Sequence, residues 1–167
     1  LSGYAVSAAR LGLPDAGLVS YREMLDAGRE VCAATTIPVI GDADTGFGNP
    51  INVRRTVQGY HQAGFACAMV EDQVFPKRCG FAQGLEVAPR EEALLRLRAA
   101  LEARDAVRRA GGDLLVIGRT DSRAAVGLEE ALWRAEAFAD LGADLVYFEA
   151  PAGTAAMVAL HRVTRGV

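Results

Sequence analysis

Residues 37–46 read IPVIGDADTG, a short apolar run that passes directly into two aspartates. Three other stretches repeat this pattern: residues 66–72 read ACAMVED, residues 114–121 read LLVIGRTD and residues 145–149 read LVYFE. Continuous apolar runs are typical of parallel strands that helices cover on both faces. Because the carboxyl ends of such strands meet at one rim, the polar residues that follow them are expected to form one site. The pattern predicts an enzyme of the α/β class.

The segments between these runs have helical periodicity. A helix-entry signal stands at Asn49-Pro50, and Gly64 is suited to end the same helix. A loop of about 18 residues, Glu71–Ala88, follows the second apolar run, and loops of that length in compact domains are usually functional. The predicted helices cover Tyr21–Thr35, Pro50–Ala63, Pro89–Ala110 and Leu128–Leu141.

Both ends of the chain continue the pattern of alternating strands and helices. Residues Leu1–Tyr4 are predicted to be the tail of a strand and Ala155–Val163 the start of a helix, which makes five βα units. A complete (β/α)8 barrel takes about 250 residues. We therefore interpret residues 1–167 as a single partial barrel domain, a fragment without the first strand and the C-terminal units. A doubly wound sheet of five strands is the alternative, but neither a G-x-G-x-x-G nor a Walker phosphate loop occurs.

The composition excludes several classes of protein. With 167 residues, 51% of them hydrophobic, and a formal net charge of −3, the chain can form one packed core and has no basic run for nucleic acid. No apolar stretch approaches the roughly 20 residues that span a bilayer. Three cysteines, Cys32, Cys67 and Cys79, cannot all pair and lack metal-finger spacing. We expect a cytoplasmic protein with neither nucleic acid nor membrane as a partner.

The acidic residues after the first two runs form a candidate metal site. Asp42 and Asp44, with Glu71 or Asp72 from the next strand, would supply the oxygen ligands that Mg²⁺ prefers. The alternative is ordinary turn chemistry, in which Asp and Gly are common. A calcium loop is excluded because its twelfth position is Val53 rather than Glu. The DADT stretch also resembles the nucleophile motif of aspartyl-phosphate hydrolases, in which the threonine normally stands one place later.

Two further groups in the sequence suggest reactivity. Lys77 and Arg78 precede Cys79 in the long loop, and cations beside a thiol favour the thiolate. Cys32 and Cys67 lie in apolar surroundings and are interpreted as small buried hydrophobic residues.

Arg119 follows the third run directly. A guanidinium at a strand end commonly binds a carboxylate or phosphate. An internal ion pair with Asp121 or Glu149 is the alternative role.

Six motifs in this order resemble the isocitrate lyase/phosphoenolpyruvate mutase superfamily, and the resemblance covers the whole chain. It implies a (β/α)8 barrel with a helix exchanged between subunits, usually in a homotetramer. It also implies that this chain lacks the first strand and the exchanged helix. The motifs are Ser2–Tyr4, Leu13–Gly17, Gly41–Gly48, Glu71–Gln73, Lys77–Gly80 and Arg119–Asp121.

The resemblance also implies roles for individual residues. Asp42 would ligate Mg²⁺, or Mn²⁺ in its place, and Asp44 and Glu71 would act mostly through the waters of the ion. The segment Lys77–Gly80 would close over a small carboxylic acid substrate. The residues implied in substrate binding are Ser2, Gly3, Tyr4, Asp15, Gly80 and Arg119.

Within the superfamily, the Lys-Arg-Cys-Gly signature implies the branch that cleaves C–C bonds. Cys79 would be the acid/base, with Lys77, Arg78 and Glu149 as further catalytic residues. The lyase signature continues with His, whereas this chain has Phe81, which favours a smaller or more apolar acid.

The implied function is Mg²⁺-dependent cleavage of a 2-hydroxy (or 2-oxo) dicarboxylic acid, similar to methylisocitrate or dimethylmalate, to a 2-oxo acid and a carboxylate. The alternatives are a phosphonomutase-type isomerase acting on phosphoenolpyruvate or carboxyphosphoenolpyruvate, and a barrel fragment without catalysis.

Overall fold

Four parallel strands form one sheet, in the order in which they occur along the chain. The computed structural model describes all residues from 1 to 167. A doubly wound sheet has a point at which the strand order reverses, whereas this order is sequential and parallel throughout, as in a (β/α)8 barrel. The strands are β1 (Ile40–Asp42), β2 (Cys67–Glu71), β3 (Leu115–Thr120) and β4 (Leu145–Phe148).

Seven α-helices connect or flank the strands, a π-helical turn at Ser7–Leu11 follows the first of them, and local sequence explains the helix ends. Ser20 and Glu23 form a capping box at the start of the second helix, and Asn49 forms another with Asn52 before Pro50. The four long predicted helices agree with the structure to within one residue at each end. The helices are α1 (Gly3–Val6), α2 (Tyr21–Ala34), α3 (Pro50–Ala63), α4 (Arg90–Arg109), α5 (Ser122–Ala125), α6 (Leu128–Asp140) and α7 (Thr154–Thr164).

The main hydrophobic core lies between one face of the sheet and the helices. Tyr60 of α3 stacks on Phe65 at 4.5 Å between ring centroids, and Phe138 of α6 packs in the same core. The other face of the sheet carries side chains that are more than a third exposed: Ile40, Leu115, Leu145 and Tyr147. In a closed barrel this second face points toward the axis.

The prediction of a strand tail at Leu1–Tyr4 is wrong, although Leu1 pairs with the backbone of β1. The amino group of Leu1 donates to the carbonyl of Ile40 at 2.7 Å, and its carbonyl accepts from the amide of Asp42 at 3.0 Å. From Gly3 onward the chain is helical, because the Ser2 hydroxyl accepts from the Ala5 amide and caps α1.

Two other predictions are corrected. The first strand begins at Ile40 rather than Ile37, whose side chain is 71% exposed. The long loop between β2 and α4 (residues 72–89, the β2–α4 loop) is partly ordered by an antiparallel bridge between Gln73 and Val87. None of the helices combines the length and hydrophobicity that a bilayer-spanning segment needs.

Candidate active site

A cavity of about 510 Å³ opens beside the carboxyl ends of the strands. Most of the residues predicted for the site from sequence border it, although they come from six separate parts of the chain. Asp44, Glu71 and Gly3 are buried beside or below it and do not line it. The lining residues are Ser2, Tyr4, Asp15, Asp42, Lys77, Arg78, Cys79, Gly80, Phe81, Arg119 and Glu149.

Asp42, the last residue of β1, is held by its backbone and by its carboxylate. Its carbonyl accepts from the hydroxyl of Tyr60 at 2.6 Å. Its Oδ2 accepts from the amide of Gly3 at 2.9 Å, and its Oδ1 from the amide of Asp44 at 3.2 Å. The carboxylate is therefore oriented by backbone groups and keeps lone pairs available toward the cavity.

Gly3 supports the carboxylate of Asp42. Its amide donates to Asp42 Oδ2 at 2.9 Å, and its contact with a substrate stays a prediction. A Cβ atom at this position would lie 3.0 Å from both Asp44 Oδ1 and Lys77 Nζ. The absence of a side chain lets α1 approach this charged cluster closely.

Lys77 joins two carboxylates inside the protein. Its Nζ lies 2.6 Å from Asp15 Oδ1 and 2.7 Å from Asp44 Oδ1, and its side chain is 3% exposed. Burial lowers the pKa of Lys77, but Asp44 and Glu71 more than offset this and raise it. Burial, followed by the charge of Asp42, raises the pKa of Asp44 to about 7.

Glu71 and Arg119 are neighbours across the sheet, since β2 and β3 pair these two positions. Burial, followed by the charge of Asp121, raises the pKa of Glu71 well above its ordinary value. Its Oε1 is buried without a hydrogen-bond partner, and its Oε2 lies 3.5 Å from Arg119 Nε.

The guanidinium of Arg119 is held mainly by other carboxylates. Its Nε and Nη2 donate to Asp121 at 3.0 and 2.8 Å, and Nη2 lies 3.1 Å from Glu149 Oε2. The internal pairing considered for Arg119 is therefore present, while a role in substrate binding stays a prediction. Nη1 donates no hydrogen bond within the chain, whereas Nε and Nη2 both do.

The carboxylates are suitable ligands for a divalent cation, but they do not form a complete coordination shell by themselves. No group of three or more His, Cys, Asp or Glu side chains is arranged to hold a metal ion by itself. Mg²⁺ usually keeps several waters and binds one or two carboxylates. The unpartnered Oε1 of Glu71 and the oriented carboxylate of Asp42 fit that mode, with water completing the shell.

Cys79 borders the cavity with a half-buried side chain, and its amide donates to the carbonyl of Asp15 at 3.1 Å. The two preceding cations contact other groups: Lys77 contacts the carboxylates described above, and Arg78 Nη1 donates to the carbonyl of Gln83 at 3.2 Å. Cys67 is buried, and burial followed by Asp144 raises its pKa to about 12. An inert core role for Cys67 agrees with its prediction as a buried hydrophobic residue.

The entrance of the cavity is aromatic. Phe81, at the position where the lyase signature has His, is 85% exposed, and Tyr4 is 62% exposed. The hydroxyl of Ser2, predicted to bind substrate, accepts a hydrogen bond from the Ala5 amide.

Sequence reasoning missed a buried polar network behind the site. Asp72 accepts from the hydroxyl of Thr120 at 2.7 Å, from the amide of Asp121 at 2.9 Å and from Arg134 Nη1 at 3.2 Å. The positions of Asp72 and Asp121, each directly after a strand, could have predicted that the two residues lie close together. This network holds the ends of β2 and β3 together and fixes the base of the cavity.

The position of Gly80 generates a prediction. A Cβ atom there would lie 2.7 Å from Arg119 Nη2 and 2.9 Å from Glu149 Cγ. Gly80→Ala is expected to lift the β2–α4 loop and to accelerate tryptic cleavage after Arg78 about tenfold, since cleavage follows local opening. Ala82→Gly, in the same loop, is the control for general loop sensitivity. Cleavage of Gly80→Ala at the unchanged rate would contradict the close packing.

Known proteins resemble this chain in sequence and structure. A sequence model of the family described as phosphoenolpyruvate phosphomutase matches residues 1–166. The 2,3-dimethylmalate lyase of Eubacterium barkeri is 40% identical over 166 residues, which are 99% of this chain and 56% of that protein. The chain thus spans about half the length of the relatives it matches.

Two solved structures are also similar to this chain over nearly its whole length. Oxaloacetate acetylhydrolase in complex with the inhibitor 3,3-difluorooxalacetate superimposes with a TM-score of 0.91 at 36% identity, over 98% of this chain and 55% of that one. Phosphonopyruvate hydrolase in complex with oxalate and Mg²⁺ superimposes with a TM-score of 0.80 at 34% identity, over 96% of this chain and 54% of that one. These similarities confirm the barrel-type fold. With the family match over nearly every residue, they show that the chain belongs to the phosphoenolpyruvate mutase/isocitrate lyase superfamily.

Proposed function

We propose that the protein cleaves a C–C bond of a 2-hydroxy dicarboxylic acid, giving a 2-oxo acid and a carboxylate. The observation that carries this proposal is the shared cavity, in which the thiol of Cys79 borders the same space as Asp42, Arg119 and Glu149. A thiol can transfer a proton to carbon, and the other groups suit binding of an oxyacid. The name of the E. barkeri relative supports a substrate similar to dimethylmalate.

The proposal includes Mg²⁺ as the cofactor, with Mn²⁺ as a substitute. Asp42 would bind the ion, and Asp44 and Glu71 would hold its waters. The structure of phosphonopyruvate hydrolase with oxalate and Mg²⁺ supports this choice. When bound, the ion would lower the pKa of the substrate hydroxyl and polarise the developing carbonyl.

Arg119 and Glu149 would orient the substrate. The free Nη1 of Arg119 can donate to a substrate carboxylate, while Asp121 holds the opposite edge of the guanidinium rigid. Glu149, 6% exposed and 3.1 Å from Arg119 Nη2, would accept the hydrogen bond of the reacting hydroxyl. These contacts fix the C–C bond to be broken relative to Cys79.

Cys79 would complete the reaction as a general acid. As the hydroxyl passes its proton to Glu149 and its carbon becomes a carbonyl, the electrons of the breaking C–C bond form an enolate on the departing carboxylate. The Cys79 thiol then protonates the enolate carbon. The β2–α4 loop, seated against Arg119 and Glu149 through Gly80, excludes water during this step.

The aromatic entrance supports a small or apolar acid. Phe81 cannot hydrogen-bond a third carboxylate in the way that a His can. With Tyr4 it instead presents apolar surface at the cavity mouth. Among possible substrates, this favours alkyl-substituted dicarboxylic acids over tricarboxylic acids.

A phosphonomutase-type isomerase is the second candidate. It is favoured by the description of the matched family, phosphoenolpyruvate phosphomutase. Migration of a phosphoryl group needs no proton donor to carbon, so the thiol of Cys79 would have no role in it. Phosphorus NMR of the products separates the two reactions.

Replacing Cys79 tests the proposed reaction. Cys79→Ser is expected to lower kcat at least about a hundredfold, because the serine hydroxyl is a far weaker acid than the thiol. Affinity for Mn²⁺ should stay unchanged. The matched control is Cys32→Ser, a half-buried cysteine beside Gly64, away from the cavity. Turnover of Cys79→Ser at a rate comparable with the original protein would refute the assigned role.

Metal binding can be tested without turnover. Asp42→Asn keeps the shape of the side chain but removes its charge, so affinity for Mn²⁺ in an EPR titration is expected to fall at least about tenfold. Asp26→Asn, on α2, is the control. Equal Mn²⁺ affinity in the original protein and in Asp42→Asn would show that the ion is not held by this carboxylate.

A further inference from the structure

The side-chain amide of Gln73 makes two hydrogen bonds, both to the backbone of one residue of the β2–α4 loop. Its Oε1 accepts from the amide of Arg78 at 2.9 Å, and its Nε2 donates to the carbonyl of the same residue at 3.0 Å. The Gln73 side chain is buried, with the residue only 1% exposed. A primary amide carries a donor and an acceptor side by side, and it can therefore satisfy both backbone groups of one residue.

The backbone of Gln73 is itself fixed to the body of the protein. Arg96 on α4, 5% exposed, donates through Nη1 to the carbonyls of Gln73 at 2.8 Å and Glu71 at 2.9 Å. Gln73 also forms the bridge with Val87 on the returning part of the loop. The amide thus extends from a rigid support to the backbone of the loop segment that carries Lys77 and Cys79.

Arg78 stands between the two loop residues that matter most at the site. Lys77, before it, enters the carboxylate pair of Asp15 and Asp44, and Cys79, after it, borders the cavity. Two further backbone hydrogen bonds hold this segment: the Cys79 amide donates to the Asp15 carbonyl at 3.1 Å, and the Cys79 carbonyl accepts from the Ala82 amide at 2.7 Å. Fixing both backbone groups of Arg78 therefore fixes the directions of both neighbouring side chains.

We infer that Gln73 is a positioning residue that holds the Lys77–Cys79 segment in its closed place over the cavity. The effect of Gln73 on turnover rests on the proposed function. Its two hydrogen bonds to the loop are independent of that function. Gln73 touches neither the cavity nor a reacting atom, and it acts through the backbone of Arg78. Losing both hydrogen bonds should shift the loop toward open conformations.

The test measures the alkylation rate of each cysteine by iodoacetamide, with peptide mapping by mass spectrometry. Gln73→Leu keeps the approximate volume and removes both bonds. It is expected to raise the rate at Cys79 at least about tenfold, because the half-buried thiol becomes accessible. The rates at Cys32 and Cys67 should not change. Gln62→Leu, an exposed glutamine on α3, is the control.

Each outcome decides the inference. An unchanged rate at Cys79 in Gln73→Leu overturns it. A parallel rise at the buried Cys67 would indicate general loss of structure and also overturns a specific positioning role. If Gln73→Leu fails to fold, Gln73→Glu takes its place, since it keeps the acceptor for the Arg78 amide and loses the donor to the carbonyl. No substrate is used, so the result stands even if the proposed reaction is wrong.

Discussion

The ammonium of Lys77 is the interaction on which the candidate site depends. It lies within 2.7 Å of both Asp15 and Asp44, and so it joins the segment before α2, the end of β1 and the β2–α4 loop. Charges taken out of water are tolerated only when they are paired. Without this cation, Asp44 would be buried beside Asp42 with no compensating charge. The closed loop and the acidic cluster therefore stabilise each other.

The parallel sheet explains why these groups meet. Asp42, Glu71 and Arg119 stand at or next to the carboxyl ends of three consecutive strands, and the register places Glu71 directly beside Arg119. The helices need only pack against the opposite face of the sheet. The loop then adds Cys79 from above, at a position set by Gly80 and by the amide of Gln73. The carboxylates of the site thus come from strand ends, and the thiol comes from the β2–α4 loop.

Local signals predict the long helices and the convergence of Asp42, Glu71 and Arg119, because periodicity, caps and strand ends depend on nearby residues. They do not predict α1, whose four residues rely on the Ser2 cap, or the bond from the Gly3 amide to Asp42. The partners of Lys77 were also beyond prediction, since loop contacts depend on residues distant in sequence. Gln73 illustrates the same limit: in the sequence it is one polar residue of a motif, and only the structure shows both bonds to Arg78.

The most direct test of the account is a substrate panel. The protein would be incubated with Mg²⁺ and a series of 2-hydroxy dicarboxylic acids, and release of 2-oxo acid would be followed by coupled reduction with NADH. Release is expected from a small or alkyl-substituted acid, and the signal should be lost completely with EDTA. No release from any acid of the panel, by folded protein that binds Mn²⁺, would contradict C–C cleavage and favour the phosphonomutase reaction.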